Sequence, residues 1–197
     1  MNNAELRASA RHNLGGSIFH SDWLMALAVC AVAGIVMRIV PLATLILAGP
    51  INFGLAVVFL KKARNGGMPI EFGDMFKGFD LFGDTLVLGL MQWLIPALWC
   101  LIPIVGFIFA IRKTYSYAMA MYIKVDMPNA PWRECLDRST MLMEGHRWEL
   151  FYLQFSFIGW YIVGALACGL GVLWVAPYQN AAVANFYEAR RMQGGTI

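Results

Sequence analysis

Two adjacent cations, Arg112 and Lys113, carry the strongest chemical signal in this chain because they follow a long apolar stretch that has no other charge. A charge at the centre of a lipid bilayer costs about 3 kcal/mol or more unless it is paired or hydrated. If the stretch crosses a membrane, the pair predicts a hydrated pocket for an anion or a lipid headgroup. Adjacent helical residues diverge by about 100°, so the two side chains are not expected to face one partner. The alternative is that one reaches the membrane surface and the other bonds to neighbouring helices.

Three amide side chains, Asn52, Gln92 and Asn180, stand at a comparable depth in other apolar stretches. At 1.5 Å per helical residue, each lies about 12 to 13 Å from a charged residue near the end of its stretch. We expect these amides to line a polar cavity together with Arg112 and Lys113. The cavity would open towards the side on which the charged loops lie.

A second candidate site is the basic turn His146-Arg147-Trp148, which runs directly into an aromatic segment. Two basic groups beside a tryptophan suit the headgroup layer of a membrane, where anionic lipids attract cations and indole rings lie at the interface. One interpretation is contact with an anionic lipid. The favoured interpretation is that these residues only anchor the end of a helix at the membrane surface.

No catalytic constellation accompanies these residues. The histidines are far apart, and there is no HExxH helix, no nucleophile elbow and no glycine-rich phosphate loop. The cysteines stand singly without a CxxC pair, which favours buried free thiols over a metal or redox site. We therefore expect no enzyme activity, no metal and no cofactor. The cysteines are Cys30, Cys100, Cys135 and Cys168, and the histidines are His12, His20 and His146.

The composition indicates that lipid surrounds most of this chain. Hydrophobic residues make up 59% of the sequence and charged residues 14%, far from the balance of soluble domains. At about 20 residues per span, six spans would use most of the chain. No stretch has the composition of a separate soluble domain, so we expect a single integral membrane domain over residues 1–197. The net charge of +3 is too small to indicate a nucleic-acid partner.

The charge pattern predicts six membrane-spanning helices with both termini in the cytoplasm. A single span between Asp84 and Arg112 would place the following basic loop outside the cell, against the positive-inside rule. Two spans with a tight turn at Pro103 keep that loop inside. The predicted spans are residues 21–40, 42–62, 84–102, 104–123, 149–169 and 172–190.

Before the first, third and fifth predicted spans, the chain repeats a pattern in which a glycine stands two residues after one apolar residue and three before another. The glycines are Gly16, Gly78 and Gly145. Because glycine readily adopts the left-handed conformation, each is expected to end a surface helix and turn the chain into the membrane. The sequence therefore predicts an all-α membrane protein of three hairpins, each preceded by a cytoplasmic interfacial amphipathic helix.

Motifs along most of the chain carry a resemblance to a known family. They are Arg11, Leu14, Gly16, Gly49-Pro50, Phe76, Phe79, Tyr115-Ser116-Tyr117-Ala118-Met119, Ser139, Met143, Gly145-His146-Arg147, Phe151, Ser156-Phe157-Ile158-Gly159-Trp160, Gly171, Pro177-Tyr178 and Phe186-Tyr187-Glu188. With these motifs the chain resembles the bacterial integral membrane proteins of the uncharacterised "domain of unknown function 975" family. The resemblance implies an all-helical membrane domain, distantly like the membrane portion of some glycerophosphodiester phosphodiesterases, and implies no catalytic residues. The chain departs from the family at the turn around Pro103, where extra residues precede Lys113.

The function expected first is that of a non-enzymatic accessory or scaffold protein of the bacterial cytoplasmic membrane, acting on lipids or on a partner membrane protein. The alternative is a small transporter or flippase-like module that uses Arg112 and Lys113 for an anionic solute or lipid. A membrane-embedded enzyme ranks third. The orientation of the two cations separates the first two hypotheses, because a transporter of anions needs them in a hydrated interior pocket.

Overall fold

The computed structural model describes residues 5, 7, 8, 21–39, 41–64, 70–99, 105–166 and 170–193. Within these residues the fold is all-helical, as the sequence predicts, with eight numbered α-helices, one 3₁₀ helix and no strand. The helices are α1 (Ser21–Ile39), α2 (Pro41–Arg64), the 3₁₀ helix (Phe72–Phe79), α3 (Phe82–Trp99), α4 (Val105–Tyr117), α5 (Ala120–Asp126), α6 (Trp132–Leu142), α7 (Arg147–Leu166) and α8 (Leu170–Gln193).

Helix α2 is the central element, packing against α1, the 3₁₀ helix, α3, α5 and α8. Its buried side chains include Ile51, Phe59 and Leu60, which are almost completely inaccessible. Two glycines let neighbouring backbones approach α2 closely. A Cβ atom on Gly54 would lie 1.8 Å from the carbonyl oxygen of Met75, and one on Gly49 would lie 2.2 Å from that of Thr85.

The fourth predicted span, residues 104–123, is not one continuous helix. Helix α4 ends at Tyr117 and α5 begins at Ala120. The hydroxyl of Ser139 on α6 lies at this break, where it accepts a hydrogen bond from the amide of Met119 (3.2 Å) and donates one to the carbonyl of Ser116 (2.6 Å). Because the hydroxyl satisfies backbone groups that the interrupted helix leaves unpaired, the chain can bend here without losing hydrogen bonds.

The predicted glycine repeat is confirmed at one of its three positions. Gly145 has a φ of +79° in the turn that joins α6 to α7, as expected of a left-handed helix end. The prediction for Gly78 is wrong, because this residue lies inside the 3₁₀ helix and is not among the described glycines with positive φ. It is needed instead for close packing, since a Cβ there would lie 2.0 Å from the carbonyl oxygen of Pro50. Gly16 lies outside the described residues.

Two amphipathic elements lie ahead of α3 and α7, where the sequence predicts amphipathic surface helices, although the first of them is a 3₁₀ helix. A short 3₁₀ helix precedes α3; it buries Asp74 and Met75 while exposing Phe76 and Phe79. Helix α6 precedes α7 and buries Cys135, Leu136 and Ser139. The element predicted before α1 lies largely outside the described residues.

Two helical segments of the described chain are long and apolar enough to cross a membrane. They are Ile46–Arg64, of which 56% of the residues are buried, and Phe82–Trp99, of which 17% are buried. A shorter apolar segment runs over Leu24–Ala33.

Candidate binding cavity

A cavity of about 670 Å³ lies between α2, α3, α4, α5, α7 and α8. Apolar residues form most of its wall, and five amide side chains interrupt them. No charged side chain of the described residues lines it. The five amides, called the amide set below, are Asn52, Gln92, Gln154, Gln179 and Asn180.

Hydrogen bonds to neighbouring helices hold three members of the amide set in place. Gln92 on α3 donates from Nε2 to the carbonyl oxygen of Tyr117 at 2.5 Å, at the last residue of α4. The oxygen of Gln154 accepts from the hydroxyl of Tyr115 at 3.1 Å. Because each bond joins residues far apart in the chain, the amides also tie together the helices that surround the cavity.

Hydrogen bonds also fix the two amide side chains of α8 that face the cavity. The hydroxyl of Tyr161 on α7 donates to the oxygen of Gln179 at 2.5 Å. The side-chain nitrogen of Asn180 donates to the carbonyl of Ala176 one turn earlier, at 3.0 Å, and lies 3.8 Å from the sulfur of Cys30. Two adjacent amides of α8 therefore line the cavity while each remains hydrogen-bonded.

Asn52 differs from the other four amides because it is exposed although Ile51 and Phe53 beside it are buried. Its side chain lines the cavity and, among the described residues, has no hydrogen-bond partner assigned to it. Trp93 on α3 also lines the cavity and is 74% exposed. Because Asn52, Trp93 and Thr114 all line the cavity and are exposed, the cavity is open to the surface, with Trp93 at its mouth.

Arg112 and Lys113 do not line this cavity. Arg112 is exposed, and the ammonium of Lys113 lies 5.4 Å from the ring centre of Tyr117, four residues later in the chain. The structure therefore brings Asn52, Gln92 and Asn180 together and leaves the two cations elsewhere. Attraction to the face of the tyrosine ring gives Lys113 a partner that does not need a ligand.

The second predicted site lies at the start of α7. His146 Nδ1 is 3.0 Å from Glu149 Oε1, and Trp148 is 69% exposed, with its ring edge-on to Phe151 at 5.6 Å. The Nε atom of Arg147 is buried and has no hydrogen-bond partner among the described residues. These residues lie together at a helix end, and none of them lines the cavity.

Ion pairs join the helix ends on one side of the bundle. Arg64 at the end of α2 bonds to Asp126 (2.7 Å) and Glu188 (2.5 Å), and Arg191 lies 3.2 Å from Glu188. Arg190 is paired with Glu149. The ammonium of Lys124, which is completely buried, bonds to Asp84 (2.7 Å) and to the carbonyl of Ala130 (2.8 Å). We call this set the charged layer: Arg64, Asp84, Lys124, Asp126, Glu149, Glu188, Arg190 and Arg191.

The described residues hold no group of three or more His, Cys, Asp or Glu side chains placed to bind a metal ion. Burial raises the pKa of the Cys135 thiol on α6, so this cysteine is held in its unreactive protonated form. The cavity is suited to binding a ligand through hydrogen bonds with uncharged amide side chains.

Sequence reasoning did not place Gln154 or Gln179 in the predicted cavity, although both complete the amide set. Both are glutamines within strongly apolar helices, so the signal that identified Gln92 applied to them as well. Neither stood out because the facing helix could not be known, and an isolated glutamine more often joins two helices than binds a ligand.

The described residues form an all-helical fold with two helical segments long and apolar enough to cross a membrane, and with an amide-lined cavity between helices. The family model described as "Protein of unknown function (DUF975)" matches residues 101–193, and this match supports membership of the chain in that family. The matched segment contains α4 to α8 and therefore Gln154, Gln179 and Asn180 of the amide set. Comparison with curated proteins and with solved structures gave no match.

Proposed function

We propose that this chain is a non-enzymatic accessory protein of the bacterial cytoplasmic membrane that binds a lipid in its amide-lined cavity. It crosses the membrane six times, with both termini and the charged layer on the cytoplasmic side. The observation that carries the proposal is the amide set, which gathers five uncharged polar side chains inside a bundle whose outer surface is apolar.

The outer surface supports placement in a membrane. Beyond the charged layer, large apolar side chains point outwards on three helices, among them Leu98 on α3, Ile108 on α4 and Val163 on α7, each more than half exposed. Water would disfavour so much exposed apolar surface on a monomer, whereas lipid accepts it. The low burial of Phe82–Trp99 supports the same placement, because a core helix of a soluble protein of similar composition is mostly buried.

Aromatic residues near the charged layer support an interface at that level. The rings of Phe72, Phe76, Phe79 and Phe82 follow one another with centroid separations of 6.1, 6.2 and 6.3 Å. The last three are exposed. This row of rings provides an apolar face of the kind that an interfacial helix buries below the headgroups, and the exposed Trp148 is an amphipathic anchor at the same level.

The depth of the cavity fits a lipid in one leaflet. Counted along their helices, Gln154 lies about 8 Å from Glu149, and Asn180 about 12 Å from Glu188, both in the charged layer. Half of the hydrocarbon thickness of a bilayer is about 15 Å. A ligand that entered beside Trp93 would therefore meet the amides within the leaflet next to the charged layer.

The alternative of a transporter for an anionic solute or lipid receives less support from this geometry. It needs a cation facing the cavity, and both Arg112 and Lys113 lie outside the cavity wall. Lipid binding by the amide set needs no such charge.

Native mass spectrometry tests the proposed function. Protein released from a polyoxyethylene detergent is expected to retain a lipid, and Asn52→Leu is expected to retain much less of it. Asn52 is chosen because its side chain lines the cavity without holding another helix. Asn129→Leu, at an exposed residue of the loop between α5 and α6, is the matched control and should retain lipid as the unmodified chain does.

Three results would reject the lipid-binding proposal. One is the absence of any retained lipid, and another is equal retention by Asn52→Leu and Asn129→Leu. The third is retention of another membrane protein in place of lipid, which would support the scaffold form of the hypothesis.

A further inference from the structure

The cavity wall has a chemical character that narrows the kind of lipid it suits. Among the described residues, its polar groups are amides and hydroxyls, and none carries a formal charge. The side chains of the charged layer are paired with one another, as in Arg64 with Asp126 and Glu188. The cavity therefore presents hydrogen-bond donors and acceptors without an electrostatic preference for anions.

We propose that the cavity binds an uncharged, hydroxyl-rich ring, such as the sugar headgroup of a glycolipid. This inference rests on the proposed lipid-binding function and names the chemical class of its ligand. An amide side chain offers both an NH₂ donor and a carbonyl acceptor, which matches the dual character of a sugar hydroxyl. An amide side chain can thus donate a hydrogen bond to a sugar hydroxyl or accept one from it.

Several amide atoms are available for such pairing. The whole side-chain amide of Asn52 is without an assigned partner among the described residues. In Gln154 and Gln179 the carbonyl oxygen accepts from a tyrosine, which leaves their NH₂ groups as donors. In Gln92 the NH₂ group donates to Tyr117, which leaves the oxygen as an acceptor. The cavity therefore provides donors and acceptors from four helices.

Trp93 adds an apolar surface at the mouth of the cavity. Its indole ring is mostly exposed and lines the opening. One face of a sugar ring carries mainly C–H groups, and an aromatic side chain offers a flat apolar partner for them. The combination of several amides with one aromatic ring at the rim suits a sugar better than a compact polar headgroup.

An anionic headgroup is a poor match for the same wall. A phosphate moved from water into a site without a counter-charge loses hydration that neutral amides only partly replace. A sugar loses only neutral hydrogen bonds, which the amides can restore. The volume of about 670 Å³ also falls within the range of ligand cavities in proteins.

The test uses purified full-length protein in a polyoxyethylene detergent, because a sugar-based detergent would compete for the site. Glucosyl diacylglycerol and phosphatidylglycerol with identical acyl chains are added at equal concentration, and bound lipid is measured by native mass spectrometry. We expect a preference of about fivefold or more for the glucolipid, the effect of about one net hydrogen bond. Asn52→Leu should remove the preference, Asn52→Ala should weaken it, and Asn129→Leu should keep it.

The outcomes separate this inference from the proposed function. Equal or preferential retention of phosphatidylglycerol that is still lost in Asn52→Leu would overturn the sugar preference and leave lipid binding intact. Retention of neither lipid, together with no binding of methyl glucoside added without lipid, would reject both if the protein is folded and monodisperse. A third arm adds methyl glucoside without lipid. If the free sugar binds and is lost in Asn52→Leu while the glucolipid is not retained, the sugar chemistry stands and a soluble sugar replaces the lipid as its source.

Discussion

The buried carboxylate of Asp74 links the 3₁₀ helix to α2 through an ion pair with Lys61 (2.9 Å), and it pairs with Lys77 (2.5 Å) within its own helix. Burial by itself raises the pKa of Asp74, but the hydrogen bonds from Lys77 and Lys61 outweigh it and hold the pKa below its ordinary value. A pKa that is lower in the folded state stabilises the fold above the unfolded-state pKa of about 3.9. This stabilisation is lost as the pH falls through the folded-state pKa.

We therefore expect Asp74→Asn to lower the free energy of unfolding by about 1 to 2 kcal/mol at pH 7. The difference from the unmodified protein should shrink as the pH falls below about 4, because Asp74 is then protonated in the unfolded chain and, at still lower pH, in the folded protein as well. Unfolding in detergent at pH 7 and at pH 3 measures both effects. Asp80→Asn, at an exposed carboxylate nearby, is the control and should change little at either pH. A loss in Asp74→Asn that is equally large at both pH values would contradict the ion-pair explanation.

Lys124 and Asp84 form a pair whose two members are unequally buried, and this predicts unequal effects of their removal. Lys124 is completely buried, whereas the side chain of Asp84 is 55% exposed. Asp84→Asn leaves a buried ammonium without a counter-charge and should cost about 3 kcal/mol or more. Lys124→Met leaves a carboxylate that water can hydrate and should cost about 1 kcal/mol.

The double variant tests this pair directly. Asp84→Asn combined with Lys124→Met should be nearly as stable as Lys124→Met alone, because no buried charge remains unpaired. Melting temperatures of the four proteins in one detergent provide the comparison. A larger loss in Lys124→Met than in Asp84→Asn would show that packing of the lysine stem matters more than its charge.

Among the elements, the contact of α2 with the 3₁₀ helix depends on glycine more than on any side-chain interaction. Gly54→Ala would place a methyl group 1.8 Å from the carbonyl oxygen of Met75, so the two backbones must separate. We expect a loss of about 2 to 3 kcal/mol in the free energy of unfolding. Gly159→Ala on α7 is the matched control. No atom lies within 4 Å of its added Cβ, so it should be neutral or slightly stabilising. Similar stabilities of the two variants would mean that the close contact does not exist in solution.

At the same scale, sequence predicted the positions of the helices better than their interruptions. The predicted segment 21–40 corresponds to Ser21–Ile39 and the predicted segment 172–190 to Leu170–Gln193. The C-terminal ends of both helices lie beside charged or proline residues, Arg38 and Pro41 for the first helix and Arg190 and Arg191 for the second, and these are local signals. The break at Met119 was missed because it depends on Ser139, which contacts it from another helix. Gly78 was misassigned for a related reason, since its role is set by the backbone of α2.

The same difference between local signals and helix packing explains which residues of the cavity could be predicted from the sequence. Amides within apolar segments are visible in a sequence, so three members of the amide set could be named. Which helices face one another is not visible, so Arg112 and Lys113 were grouped with those amides although they lie outside the cavity. Depth along a helix can be counted from the sequence, whereas direction around the bundle depends on the packing of all its helices.

For the whole molecule, the proposed six-span topology predicts a particular pattern of cysteine labelling in cells. Single cysteines at Asn129, Glu144, Leu98 and Val163 in a cysteine-free background are suitable, because all four positions are exposed in the structure. A membrane-impermeant maleimide should label the first two only after the inner membrane is permeabilised, since they lie on the side of the charged layer. The last two should remain unlabelled until detergent is added, because lipid covers them.

The labelling pattern is informative because all four positions are exposed in the structure, so a chain surrounded by water would be labelled at all of them. Labelling of Asn129 and Glu144 in intact spheroplasts would instead place the charged layer outside the cell and invert the topology. Labelling of Leu98 and Val163 without detergent would show that these positions do not face lipid. It would then also contradict the proposed route by which a lipid reaches the amide set beside Trp93. Labelling at these four positions thus tests the membrane surface on which the proposed binding depends.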